Sequence, residues 1–195
     1  VPFILDSATL LKKHLMKKSI LSLIILIAFG SVHAQTFTLK SADLSGQATD
    51  KQVFNSFGCS GQNSSPQLSW ENAPEGTKSF AVTIYDEDAP TGSGWWHWLI
   101  FDLSASTSEL KTGAGNPALK LAPVGSVQSM TDFGTTGYGG PCPPEGSKPH
   151  RYVVTVYALN TDKLGLDATT NPALVGFMLE QHLLQKASLI FYYNR

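Results

Sequence analysis

Charge is scarce in this chain of 195 residues: 15% is Asp, Glu, Lys or Arg, and arginine occurs only as Arg151 and Arg195. So little positive charge excludes the basic stripe that tracks a nucleic-acid backbone, and equally a non-specific attraction to anionic membranes. Cysteine is rare too, with Cys59 and Cys142 alone, which excludes a disulfide-dense miniature scaffold. A long hydrophobic run is also missing. The apolar stretch from Ile20 to Phe29, broken by Ser22, is half of the ~20 residues a membrane-crossing helix needs. What remains is 42% hydrophobic with a net charge of −1, the composition of one ordinary globular domain rather than a disordered chain.

The charge is unevenly spread. Residues 1–34 hold four Lys and one acid, whereas the rest holds ten bases against fourteen acids. Met16-Lys17-Lys18, the apolar run and the small-residue pattern Val32-His33-Ala34 together read as a cleavable secretory signal peptide, Met16–Ala34. Gln35 follows where a lipoprotein would need Cys. Residues 1–15 form an upstream segment and are set aside from fold reasoning. The expected mature protein is a single domain over 35–195, periplasmic in a Gram-negative source and otherwise secreted, with no membrane span.

The body reads as strands. In Ser79–Tyr85, Phe80, Val82 and Ile84 alternate with Ala81, Thr83 and Tyr85, the period of a buried strand. Trp95–Phe101 is a continuous apolar run, expected to be buried on both faces. Arg151–Leu159, rich in Val, Thr and Tyr, and Ala187–Tyr193 read as further strands. Between them Asn171-Pro172 signals a helix start. Leu174, Val175, Met178, His182 and Leu183 then recur at helical spacing. Ser104–Asn116 reads as a loop. The expected class is mainly β, a two-sheet sandwich with a C-terminal helix.

Three clusters carry the candidate chemistry. Asp86-Glu87-Asp88-Ala89-Pro90 ends the first strand. Three acids there often only solvate a turn, but extended chain would aim Asp86 and Asp88 at one spot, and Ala89–Pro90 is a candidate cis bond. Gly94-Trp95-Trp96-His97-Trp98 surrounds one imidazole with three indoles. That is a core aromatic cluster or a functional His, and in either case the ring needs hydrogen-bond partners. Gly139-Gly140-Pro141-Cys142-Pro143-Pro144-Glu145-Gly146 is a stiff loop whose Gly amides could approach a ligand. It leads into His150-Arg151-Tyr152, where period two puts His150 and Tyr152 on one face. A decorated surface loop is the alternative.

Taken together, the clusters resemble the phosphatidylethanolamine-binding protein family, also called Raf kinase inhibitor-like proteins, in its exported bacterial form. The resemblance runs from about Phe37 to Arg195 and includes Phe57-Gly58-Cys59-Ser60-Gly61-Gln62-Asn63, Ser65-Pro66-Gln67-Leu68-Ser69-Trp70 and Gly137-Tyr138-Gly139-Gly140. Glu87 stands where the family motif usually has Pro, which affects loop stiffness and spares both acids. The resemblance implies a Greek-key sandwich and a small pocket for phosphate-like anions built from Asp86, Asp88, His97, Pro143, His150 and Tyr152. Family members with a ligand-contacting Tyr in the last helix find no counterpart, since Phe177 and Met178 stand there.

Imidazole, the Tyr152 hydroxyl and loop amides supply donors for a phosphoryl head. A neighbouring Asp would raise a His pKa. A carboxylate must then act from behind a His or meet a ligand's ammonium or hydroxyl. A phosphorylated or zwitterionic small molecule is therefore the expected ligand, with no cofactor, no metal and no catalytic residue. The alternatives are an inhibitor acting on a kinase, protease or host partner, with a protein partner or homodimer implied, and a metal- or His/Asp-dependent hydrolase. In an exported chain Cys59 and Cys142 are expected to form a disulfide, two buried thiols being the alternative.

Overall fold

The computed structural model describes Lys12 and residues 35–195; the expected signal peptide lies outside the described residues. Thr36–Arg195 form one unit. Its strands are β1 (Thr38–Lys40), β2 (Leu68–Glu71), β3 (Ser79–Asp86), β4 (Trp95–Ser104), β5 (Glu109–Leu110), β6 (Val127–Gln128), β7 (His150–Leu159) and β8 (Leu183–Tyr193). Helix α1 (Pro172–Gln181) links β7 to β8.

The strands pair antiparallel in two sheets, β1-β2-β5 and β6-β4-β3-β7-β8. In the larger sheet β3, β4 and β6 are neighbours in turn, and β7 returns to the free side of β3. That order is a Greek key. The expected mainly-β sandwich with a late helix is the fold the chain adopts.

Alternation explains the core. Phe80, Val82 and Ile84 of β3, with Ile100 of β4 and Val154 and Val156 of β7, face Leu68 and Trp70 of the smaller sheet. Ala81, Leu99, Phe101 and Leu159 take the other face and are covered by Val175 and Leu179 of α1. The central strands are therefore buried on both sides, as the Trp95–Phe101 run implied. Each such aliphatic side chain contributes about 1.5–3 kcal/mol by leaving water.

Boundaries differ where the sequence offers no punctuation. The Asn171 side chain accepts the Leu174 N–H at 3.0 Å and Pro172 opens the helix, as expected. The helix stops at Gln181, however, and His182 caps it. Leu183 already belongs to β8, which begins four residues ahead of the expected Ala187. Leu174, expected on the apolar face, is exposed, and Pro172, Val175 and Leu179 are buried instead. The expected loop Ser104–Asn116 contains β5, two residues long and held by β2.

Strand β4 loses register with β3 at Asp102. Val82 faces Ile100 and Phe80 faces Leu103, so β4 holds an extra residue there. Asp102 takes up the bulge with φ 57°, a conformation an Asp tolerates better than most residues. Its Oδ1 accepts the buried Leu164 N–H at 2.9 Å.

Candidate functional site

The other end of the same three strands carries the candidate site. Asp86 closes β3 and lies opposite Tyr152 of β7 and Trp95 of β4. His150 and Tyr152 are buried while Arg151 between them is exposed, so simple alternation aims both rings inward. His97 needs more than alternation. Ile84 faces Trp98 and Tyr85 faces Trp96, which leaves His97 as an extra residue in a second bulge. Its effect shows in the flanking indoles: Trp98 packs in the sandwich core, but Trp96 packs on the helix side. Two residues apart in regular pleat they would share a face. The bulge turns His97 toward Tyr152, with ring centroids 5.1 Å apart.

The polar atoms are paired in a definite order. His97 Nδ1 lies 2.6 Å from the Gly139 carbonyl, which only accepts, so Nδ1 carries the proton and Nε2 is the ring's remaining polar atom. His150 Nδ1 donates to Asp86 Oδ2 at 2.7 Å. The other carboxylate oxygen, Oδ1, accepts the Asp88 N–H at 2.9 Å. Burial pushes the His97 pKa down to about 4, and the Gly139 hydrogen bond and the Asp86 charge pull upward without offsetting it. The expected rise from a neighbouring Asp is thus reversed, because the ring is 3% exposed. Tyr152 is held well above the usual phenol range by burial and then by the Asp86 charge. Its hydroxyl is buried without a hydrogen-bond partner.

Asp86, His97, Pro143, His150 and Tyr152 line one cavity of about 170 Å³. Phe57, Trp95 and Phe133 supply apolar wall, and Phe133 packs edge-on against the His97 ring. Cys142 joins the lining and is bonded to Cys59, so the expected disulfide forms and straps the Pro loop to the Phe57 loop. Arg195 reinforces the strap, donating from Nε to the Pro143 carbonyl at 2.8 Å and from a terminal nitrogen to the Gly58 carbonyl at 3.0 Å. Gly140 sits so close to the Gln52 carbonyl that a Cβ would collide with it.

Three expectations are corrected. Asp88 does not converge with Asp86, because β3 ends at Asp86 and the chain turns. Its carboxylate is exposed and accepts the Arg151 backbone N–H at 2.8 Å, outside the cavity lining. The Gly amides do not face the cavity as free donors. Gly139 N–H goes to the His97 carbonyl, Gly140 to Asn63 Oδ1 and Gly146 to the Arg195 carbonyl. Ala89–Pro90 is trans. Sequence reasoning also missed Phe57, Trp95 and Phe133 as lining. The first two lay inside quoted motifs, whereas Phe133 sits in a loop and carried no signal. His182 bonds Asn160 Oδ1 at 3.1 Å and takes no part.

Comparison with known proteins places the chain and its fold among relatives. The phosphatidylethanolamine-binding protein family model matches residues 44–194. UPF0098 protein YbcL of Escherichia coli is 45% identical over 176 residues, covering 89% of this chain and 96% of YbcL. UPF0098 protein YbhB of the same organism is 49% identical over 139 residues, covering 71% and 87%. The crystal structure of E. coli YbcL, described as a new member of the mammalian PEBP family, superposes with TM-score 0.81 over 83% of this chain and 99% of that one. A PEBP homologue from Chlamydia trachomatis, 26% identical, gives 0.67 over 82% and 98%. The chain belongs to the phosphatidylethanolamine-binding protein family.

Proposed function

We propose that the protein is an exported binding protein whose cavity takes a phosphoryl-type ligand, a phospholipid head group or a similar phosphorylated small molecule. One observation carries the reading: Tyr152 lines the cavity, and its hydroxyl is buried and unpartnered. Leaving such a donor unsatisfied costs about 1–3 kcal/mol, which a ligand oxygen would recover. Asp86 lines the cavity as well, but its two oxygens are engaged by His150 and by the Asp88 amide. The volume suits a head group better than a drug-sized molecule. Binding rather than hydrolysis is supported by the lining. Cys142 is oxidised, the Thr91 hydroxyl donates to the Gly94 carbonyl, and Tyr152 is held protonated. Among the described residues no group of three His, Cys, Asp or Glu is arranged to hold a metal ion. Export rests on the Met16–Ala34 pattern.

Thermal unfolding tests the reading. Millimolar phosphoethanolamine should raise the melting temperature and a chelator should leave it unchanged. A chelator-induced fall without response to phosphorylated ligands would replace this reading with a metal site. In titration calorimetry, His97→Ala and His150→Ala should each weaken phosphoethanolamine about ten- to hundredfold, and His182→Ala should not. Equal affinities in all three folded variants overturn the assignment. N-terminal sequencing of the mature protein should begin at Gln35, and a retained Met16 contradicts export.

A further inference from the structure

We infer that the outer edge of β8 pairs with the same edge of a second copy, in an antiparallel ladder with a two-fold axis at Ser188. Strand β8 runs for 11 residues, Leu183–Tyr193, and pairs along one side with β7. Among the described residues its other side holds one short segment. The Tyr192 N–H donates to the Gly46 carbonyl at 2.9 Å, and the Tyr192 carbonyl accepts the Ala48 N–H at 3.0 Å. Those two bonds fix the sense of the strand. Tyr192 points its backbone groups outward, so the pleat points those of Ile190, Ser188 and Lys186 outward too. None of the three has a partner on that side among the described residues. A bulge at Leu184 bounds the open stretch, since Gln185 faces Ala158 and Leu183 faces Leu159.

Edge strands are usually guarded by proline, by charge or by brevity. This one is long and has no proline. Its single charge, Lys186, is turned to Glu180 at 2.7 Å and over the Tyr157 ring. Ile190 beside it is exposed, and Ala187 and Leu189 are only partly buried against the core. Register argues for a second copy as the occupant. With Ser188 opposite its twin, Lys186 lies opposite the partner's Ile190, and all three outward residues meet outward residues. No like charges face each other, Ala187 covers the partner's Leu189, and a small side chain sits on the axis. Moving the axis to Leu189 would set Lys186 against Tyr192, which already holds Gly46 and Ala48. Moving it to Ala187 would set Ile190 against the bulge at Leu184. The edge is thus self-complementary in one register, as a two-fold dimer requires.

Sedimentation velocity of the mature protein across the micromolar range should show a dimer. Ile190→Lys sets a new ammonium against the partner's Lys186 on both sides of the axis and should weaken association about tenfold. Its melting temperature and phosphoethanolamine affinity should hold, because Ile190 is exposed and lies outside the cavity lining. Adding Lys186→Glu makes the facing charges opposite and should restore the dimer. Ser188→Cys sets two thiols across the axis at a Cα separation of about 5.5 Å, which a disulfide spans, so mild oxidation should yield a covalent dimer. Lys186→Cys is the register control: its twin lies about 13 Å along the ladder and should not cross-link. A dimer indifferent to Ile190→Lys, or one that cross-links through Lys186→Cys and not Ser188→Cys, overturns the inference. A monomer overturns it too and leaves the edge to an extended segment of another protein.

Discussion

Strand β4 bulges away from β3 at both of its ends, and the two bulges leave their polar groups in different states. At Asp102 the extra residue carries a carboxylate whose Oδ1 accepts the buried Leu164 amide. At His97 the extra residue carries a ring anchored on one nitrogen only, beside a Tyr152 hydroxyl with no partner. Both are buried polar groups on one strand. The first ties its strand to a neighbouring loop; the second leaves one ring nitrogen without a partner in the fold, which is what the proposed function calls on. Burial of a polar residue is thus uninformative until its partners are counted.

Acid should separate the two ends most strongly. His97 has a folded pKa of about 4, below the 6.5 of an unfolded His, so the unfolded chain binds more protons between those values. Stability is therefore lost as pH falls from 6.5 toward 4, by about 3 kcal/mol from this group. Urea unfolding of wild type and His97→Gln between pH 7 and pH 4 checks it. The variant should lose less by about that amount, and parallel curves would remove His97 from the acid response.

A smaller effect is expected at the other bulge. Asp102→Ala strands the Leu164 N–H and places Ala at φ 57°, which should cost about 1–3 kcal/mol. Asp102→Asn keeps an acceptor and tolerates that backbone, so it should cost less. Phosphoethanolamine affinity should survive in both. A variant as stable as wild type but unable to bind would put this end in the site.

The smallest change is the sharpest. Tyr152→Phe deletes a hydroxyl that bonds nothing in the fold, so stability should hold or rise by up to ~1 kcal/mol. Affinity for phosphoethanolamine should fall about ten- to hundredfold, the value of one hydrogen bond to a charged acceptor. Calorimetry and urea unfolding of this one variant give both readings. Lost stability with unchanged affinity would make the hydroxyl part of the fold.

Much of this was legible in the residues. Alternation located β3, β4 and β7, and the Asn171-Pro172 pair located the start of α1, because each rests on local geometry. Period two also aimed His150 and Tyr152 correctly. The same rule failed for Asp86 and Asp88, since a strand that ends between two residues no longer relates them. It could not aim His97 either, because a bulge depends on the partner strand's register. Strands β5 and β6, two residues each, are too short to show a period and exist through their neighbours. The pairing of the Gly139, Gly140 and Gly146 amides is tertiary, so a Gly-rich loop that reads as a ring of free donors need not be one. The direction of the His97 pKa was missed for a related reason: a nearby carboxylate is visible in the sequence pattern, but complete burial is not.

The wall of the cavity is unusually stiff. Three of the five residues from Pro141 to Glu145 are proline, Cys142 is bonded to Cys59, and Arg195 holds the Pro143 carbonyl. Association with such a wall has little chain ordering to complete. For a ligand of the proposed kind, such a wall predicts binding without a closing step after encounter. The observed rate in rapid mixing should therefore rise in proportion to ligand concentration, without the plateau that marks a slow rearrangement.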